Sequence, residues 1–155
     1  MSGKLPTNQP FQLLVITGTS GAGKSMALRY LEDMGYFCTD NIIPALLTSF
    51  VELLSTQFSQ IAVGVDLRGG AFFDELSGCL HLLKEKGFHY KILFLDASEQ
   101  VLVTRFSTTR RRHPLSKEDM TLLESIQKEK KRLRDIRGQA DIIIDTSGEN
   151  INAIE

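Results

Sequence analysis

The sequence predicts an α/β fold in three layers, a mostly parallel sheet of five strands with helices on both faces, and two observations carry that expectation. The first is alternation: short continuous apolar runs, each followed by a stretch whose apolar residues recur at helical spacing. Strands buried on both faces read as such runs, and crossover helices on a parallel sheet bury them that way. The second is Gly18-Thr19-Ser20-Gly21-Ala22-Gly23-Lys24-Ser25, a full match to G-x-x-x-x-G-K-[ST]. This is the phosphate-binding loop, or Walker A motif, and it has the required setting of a strand before it and a helix opening within it. Together they predict a P-loop NTPase fold, with expected strand order 2-3-1-4-5.

The elements follow in order. Leu13-Leu14-Val15-Ile16 is the first strand, and the first helix runs from about Gly23 to Met34, with Ala27, Leu28, Leu31 and Met34 on one face and Gly35 as its stop. A short second strand, Tyr36 to Thr39, leads into a turn at Asp40 and Asn41. Pro44 suits the first turn of a second helix carrying Leu46, Leu47, Phe50, Val51 and Leu54. Ile61 to Val65 is the third strand, and a helix with Phe72, Phe73, Leu76, Leu80 and Leu83 stops near Gly87. Ile92 to Leu95 is the fourth strand, and Ser98 caps a helix bearing Val101, Leu102 and Phe106. One charged helix is predicted from about Lys117 to Arg137, before a fifth strand at Ile142 to Ile144.

A length of 155 residues bounds the chain to one domain with a full core. Residues 1–10 read as a flexible leader and 11–155 as the P-loop domain; a further helix starting at Asn150 suggests the N-terminal part of a longer protein. The formal net charge of −1 gives no global field for nucleic acid. Cys38 and Cys79 are too few for a disulfide framework and are expected to be free thiols in the cytoplasm. No apolar run approaches the roughly 18 residues that span a membrane.

The loop's residue types state its chemistry. Glycines at 18, 21 and 23 let backbone N–H groups converge on an anion, and the following helix points its positive end at the same place. Lys24 then reaches the β- and γ-phosphates and is a catalytic candidate, and the Ser25 hydroxyl is a candidate Mg²⁺ ligand. A partner acid for the metal is expected at a strand end, where Asp66, Asp96 and Asp145 stand. Asp66 is preferred, because the third strand lies beside the first in this arrangement, and Asp66-Leu67-Arg68-Gly69 also matches D-x-x-G. Asp96 has the alternative of a turn residue, and Asp145 of a strand-end cap. Asp40 is either a proton acceptor for a substrate hydroxyl or a cap for the helix led by Pro44.

Two basic segments remain. Arg105 to Pro114 holds Arg105, Arg110, Arg111, Arg112 and His113, and suits either a lid that closes over phosphates or a solvated loop. His113 is expected to be structural or a polar contact. The run from Lys128 to Arg137 reads as the wet face of a helix, with RNA or a subunit as the alternative. The guanine reader [NT]-K-x-D is not matched; Ser116-Lys117-Glu118-Asp119 has the wrong first residue and place, so no strong choice of base is expected.

Several stretches resemble the N-terminal domain of the RapZ/YvcJ family of bacterial nucleotide-binding proteins: Thr17 to Ser25, Leu31-Glu32-Asp33-Met34-Gly35-Tyr36-Phe37-Cys38-Thr39-Asp40-Asn41, Val65 to Arg68, Thr109-Arg110-Arg111-Arg112-His113-Pro114-Leu115, and Asp141 to Ser147. The resemblance covers nearly all the chain after residue 11. It implies a kinase-like P-loop domain that binds and slowly hydrolyses ATP and GTP with Mg²⁺. Gly18 to Ser25 would be the ATP loop, and Asp66 to Gly69 a second nucleotide-contacting segment assigned to GTP. It also implies a further C-terminal domain, which in an RNase adapter of the family carries small-RNA and sensing functions, so an RNA or protein partner and an oligomer belong to the expectation. The alternatives are a small-molecule kinase with Asp40 as base under an arginine lid, and an RNA-binding adapter with the nucleotide as structural ligand.

Overall fold

A computed structural model describes residues 11–65, 72–109, 112–116 and 120–148, and for residues 72 and 73 the backbone alone. The expected leader, Asp66 to Gly69, Arg110, Arg111, Lys117 to Asp119 and the helix expected at Asn150 lie outside the described residues.

The elements run β1 (Gln12–Gly18), α1 (Lys24–Asp33), β2 (Phe37–Ile42), α2 (Pro44–Leu54), β3 (Gln60–Val65), α3 (Phe72–Glu85), β4 (Tyr90–Asp96), α4 (Glu99–Thr109), α5 (Leu122–Arg132), α6 (Arg134–Gln139) and β5 (Ile142–Asp145). The five strands lie in the order β2-β3-β1-β4-β5, as the sequence predicts. Every pairing is parallel, with Val15 between Val63 and Ile92 at the centre and Gly18 beside Leu95 at the carboxyl edge.

Side-chain alternation splits the core between the faces. Leu13, Val15, Ile61, Val63, Val65, Ile92 and Phe94 meet α2, α3 and α6 on one side. Ile16, Ala62, Leu93 and Leu95 meet α1, α4 and α5 on the other. Val15 and Ile16 are fully buried, one on each face, and each such side chain contributes about 1.5–3 kcal/mol. The loop at residues 19–23 therefore hangs from the central strand of the sheet.

Helix boundaries follow local chemistry. Pro44 sits in the first turn of α2, and the Ser98 hydroxyl accepts the Val101 amide at 3.2 Å at the start of α4. Thr121 and Glu124 form a reciprocal capping box on α5. Its charge-assisted bonds hold the Glu124 carboxyl below the usual carboxylate range, the Thr121 backbone bond being the larger cause.

Two boundaries differ from expectation. β2 continues through Asp40 and Asn41 to Ile42, where a short strand ending in a turn was predicted. Asp and Asn are poor strand residues, and here they occupy an irregularity: the β2–β3 register shifts between Thr39 and Ile42, with Asn41 at φ 60°. The single charged helix is two helices, α5 and α6, meeting at Leu133. Leu133 and Ile136 point into the core on the face opposite to Ile126, so one straight helix cannot serve both clusters.

Candidate phosphate-binding site

β1 delivers the loop to the carboxyl edge of the sheet, where open α/β sheets bind ligands. Gly18 presses against β4, and a Cβ there would stand 2.2 Å from the Leu95 carbonyl oxygen. The chain turns through Gly21 and Gly23 at φ 86° and 104°, conformations that side chains resist, and enters α1 at Lys24.

The loop amides fall into two sets. Thr19 donates to the Leu95 carbonyl at 3.1 Å, Ala22 to the Thr19 carbonyl at 3.1 Å, and Ser20 to Glu129 Oε1 at 2.8 Å. The N–H groups of Gly21, Gly23, Lys24 and Ser25 have no acceptor among the described residues. These four, with the positive end of α1 behind them, form the cradle that an anion requires.

Distant side chains hold the loop in this shape. The Arg105 guanidinium on α4 donates to the Gly21 carbonyl at 3.0 Å and to the Thr146 hydroxyl and carbonyl at 2.9 and 2.7 Å. The Thr146 hydroxyl faces the Ala22 carbonyl at 3.0 Å. Arg105 is therefore a loop brace, which corrects its expected place in a lid or a solvated basic loop. Arg110 and Arg111 lie outside the described residues, and Arg112 is exposed.

The Lys24 ammonium lies 3.3 Å from Asp40 Oδ1, with both side chains about a quarter exposed. Asp40 Oδ1 also accepts the Asn41 amide at 2.7 Å, while α2 is capped by Ile43 without any side-chain bond. Of the two readings of Asp40, capping of α2 is thus absent, and the carboxylate stands at the loop. Gly64 makes the room, since a Cβ on it would lie 2.2 Å from Asp40 Oδ1 and 3.1 Å from Leu28 Cδ1. Gly64→Ala is expected to displace Asp40 from Lys24 and cost about 1–3 kcal/mol in thermal unfolding. A melting curve matching the parent would show that the site accommodates alanine without displacing Asp40.

The strand-end acids separate. Asp96 accepts the Ala97 amide at 2.9 Å and the Thr19 hydroxyl at 3.4 Å, and pairs with Lys130 at 3.4 Å and Arg137 at 3.1 Å. Its charge is matched within the protein. Asp145 accepts the Ser147 amide at 2.8 Å, and its bonds to the Ser147 side chain and backbone lower its pKa, so it closes a strand-end turn. Asp66, Leu67, Arg68 and Gly69 lie outside the described residues. Among the described residues no group of three or more His, Cys, Asp or Glu side chains is placed to hold a metal.

The charged run is only partly a wet face. Lys131, Arg132 and Arg134 are exposed, but Lys130 and Arg137 serve Asp96, and Glu129 is buried beneath the loop. The Glu129 contact was not legible as a site residue, although its place was. Leu122, Ile126, Glu129, Leu133 and Ile136 follow helical spacing, so a carboxylate stands where the apolar stripe calls for a core residue. His113 is buried, a structural contact as expected.

Cys38 and Cys79 are free thiols. Burial, then the Glu32 charge, pushes the Cys38 thiol up to about 11, which leaves it unreactive near neutral pH. An apolar groove of about 420 Å³ runs alongside α1 toward the amino ends of β1 and β4, and none of residues 18–25 lines it.

Comparison with known proteins agrees with this picture. The family model described as the RapZ-like N-terminal domain matches residues 11–154. A protein of Symbiobacterium thermophilum named a nucleotide-binding protein is 46% identical over 146 residues, 92% of this chain and 48% of that protein. One of Heliobacterium modesticaldum with the same name is 52% identical over 139 residues, 88% of this chain and 46% of that protein. The chain thus spans about half the length of the curated relatives it matches. Among solved structures, a tunicamycin resistance protein of Deinococcus radiodurans superposes with a TM-score of 0.63 at 18% identity, covering 93% of this chain and 90% of that one. A gluconokinase of Sinorhizobium meliloti gives 0.60 at 18% identity, covering 95% and 89%. A shikimate kinase of Bacteroides thetaiotaomicron gives 0.54 at 19% identity, covering 86% and 85%. These three show the fold alone, a parallel α/β sheet covered by helices.

Proposed function

This chain belongs to the family of RapZ-like N-terminal domains, and from that premise we propose that it is a regulatory nucleotide-binding module that binds ATP and GTP and hydrolyses them slowly. The single observation that carries the reading is the set of four loop amides without an acceptor among the described residues, beside Lys24 at the positive end of α1. The relatives named nucleotide-binding proteins support it.

In this reading the triphosphate tail takes the amides of Gly21, Gly23, Lys24 and Ser25, and Lys24 turns from Asp40 to the β- and γ-phosphates. Ser25, which is exposed, and Asp66 would hold Mg²⁺, which supplies charge neutralisation at the phosphate oxygens. Arg68, Arg110 and Arg111 are proposed to add charge-assisted phosphate contacts, with Leu67 and Gly69 completing the second segment. A cytoplasmic location, where thiols stay reduced, is part of the proposal. Small-RNA or protein partners, which the resemblance attaches to a further domain, form no part of the proposal for this chain.

Calorimetric titration with ATP and GTP, with and without Mg²⁺, tests the reading, followed by assay of phosphate release. Absence of binding at millimolar nucleotide would overturn it. Asp66→Asn is expected to lower Mg²⁺-dependent turnover more than Asp96→Asn, because Asp96 is already matched by Lys130 and Arg137. The reverse order would reassign the metal acid.

A second reading, a small-molecule kinase with Asp40 as base, is favoured by one observation: the carboxylate stands 3.3 Å from the loop lysine. Transfer of phosphate to an added hydroxyl acceptor, lost in Asp40→Asn while slow hydrolysis persists, would establish it over the first.

A further inference from the structure

Glu129 is an acid in the wrong place for an anion site, unless it has a task there. It is 9% exposed, and it brings a negative charge against a loop built to receive phosphate. Burying a carboxylate is costly unless its oxygens are well bonded. Here they are: Oε1 takes the Ser20 amide at 2.8 Å, Oε2 takes the Ser20 hydroxyl at 2.6 Å, and Oε1 also faces His113 Nε2 at 3.2 Å.

The proton on that last contact can be placed. The Leu115 amide donates to His113 Nδ1 at 3.0 Å, so Nδ1 is an acceptor and Nε2 carries the hydrogen that Glu129 receives. The ring is itself fixed, 3% exposed and 5.1 Å from the Phe106 ring. Phe106 in turn lies under the loop, since a Cβ on Gly21 would meet its ring at 3.1 Å. Glu129 is thus gripped from behind by a packed histidine and holds one residue of the loop with both oxygens.

The choice of that residue matters. Ser20 stands at the crown, between the strand-side amide of Thr19 and the four amides that lack an acceptor among the described residues. If its N–H were free, Thr19 before it and Ala22 after it would be the loop amides still bonded to protein among the described residues. We propose that Glu129, oriented by His113, is a positioning residue of the phosphate loop: by taking both donors of Ser20 it fixes the crown so that the amides of Gly21, Gly23, Lys24 and Ser25 face a nucleoside triphosphate already in shape. Preorganised donors bind more tightly because their ordering precedes binding. The inference rests on the nucleotide-binding reading and deepens it.

Two measurements test it. The first uses the unaltered chain. Residue-resolved amide hydrogen exchange by NMR should show Ser20 protected both with and without Mg-ATP, while Gly21, Gly23, Lys24 and Ser25 gain protection only with it. A Ser20 amide that exchanges freely without nucleotide, or gains protection in step with the other four, overturns the inference. The second is Mg-ATP calorimetry on variants. Glu129→Ala is expected to weaken affinity by about tenfold or more, and Glu129→Gln, which keeps an acceptor for the Ser20 amide, to recover most of it. Glu124→Ala breaks the capping box of the same helix and should lower the melting temperature while leaving affinity unchanged, which separates loop positioning from loss of α5 stability. Equal or tighter binding by a folded Glu129→Ala overturns the positioning role while the parent's binding upholds the nucleotide reading. A parent chain that binds no nucleotide overturns both.

Discussion

Lys24→Ala is expected to abolish measurable nucleotide binding while leaving the fold in place. The amides of the cradle are neutral donors, and the ammonium is the one full positive charge among the described residues of the loop. Charge-assisted hydrogen bonds contribute about 1.5–3 kcal/mol each. Contact with both the β- and γ-phosphates therefore places the loss at about 3 kcal/mol or more, on the order of a hundredfold in affinity. The folded protein should tolerate the change. Its only described contact through the ammonium is the Asp40 pair at 3.3 Å, and both side chains are about a quarter exposed. Such pairs contribute about 0–1 kcal/mol after solvent screening. Calorimetry with Mg-ATP and a melting curve check the two halves, and unchanged affinity would remove the phosphate-binding role of the loop.

Gly18→Ala is expected to produce a large loss of stability. The added Cβ would lie 2.2, 2.8 and 2.9 Å from the O, N and C atoms of Leu95. Those atoms are backbone in the strand that pairs with β1, and Leu95 also receives the Thr19 amide that starts the loop. No rotamer change relieves the clash, so β1 and β4 must separate at the carboxyl edge. Overpacking costs about 1–3 kcal/mol, and rigid backbone puts this case at the upper end or beyond. At about 2–4 °C per kcal/mol for this size, the melting temperature should fall by roughly 6–12 °C. Gly78→Ala is the internal control. It lies in α3 with nothing within 4 Å of a Cβ, so alanine there should stabilise by about 0.5–1 kcal/mol. A Gly18→Ala protein that melts with the parent would mean that the loop is not fixed by its contact with β4.

The fold was legible because its signals are local. Five apolar runs, helical spacing between them and a loop motif at the first strand–helix junction lead to the observed order β2-β3-β1-β4-β5. The failures are informative in the same terms. Asp40 and Asn41 are turn formers by propensity, yet they continue β2 because Asp40 finds the Lys24 ammonium and Gly64 leaves it room. The α5–α6 break has no glycine or proline to mark it; Leu133 turns the chain from one side of the sheet to the other. The start of α5 was readable in Thr121-x-x-Glu124, a capping box inside the charged stretch.

The site divides along the same line. Residues 18–25 carry the phosphate-loop motif by type and spacing, and its place between β1 and α1 was legible without tertiary information. The partners that hold it come from far along the chain: Asp96 is 77 residues from Thr19, Arg105 84 from Gly21, Glu129 109 from Ser20 and Thr146 124 from Ala22. A carboxylate in a run of lysines and arginines has the same composition whether it is solvated or buried. Which of the two it is depends on the face that α5 turns to the loop, and packing alone fixes that face. Residue order was enough to foresee a parallel sheet with a Walker-type loop after its first strand, because backbone geometry and hydrophobic periodicity act over a few residues. That Glu129 and Arg105 bond to the loop, and that Asp96 is matched by Lys130 and Arg137, emerged from packing, because both depend on desolvation and on distance between segments far apart in the chain.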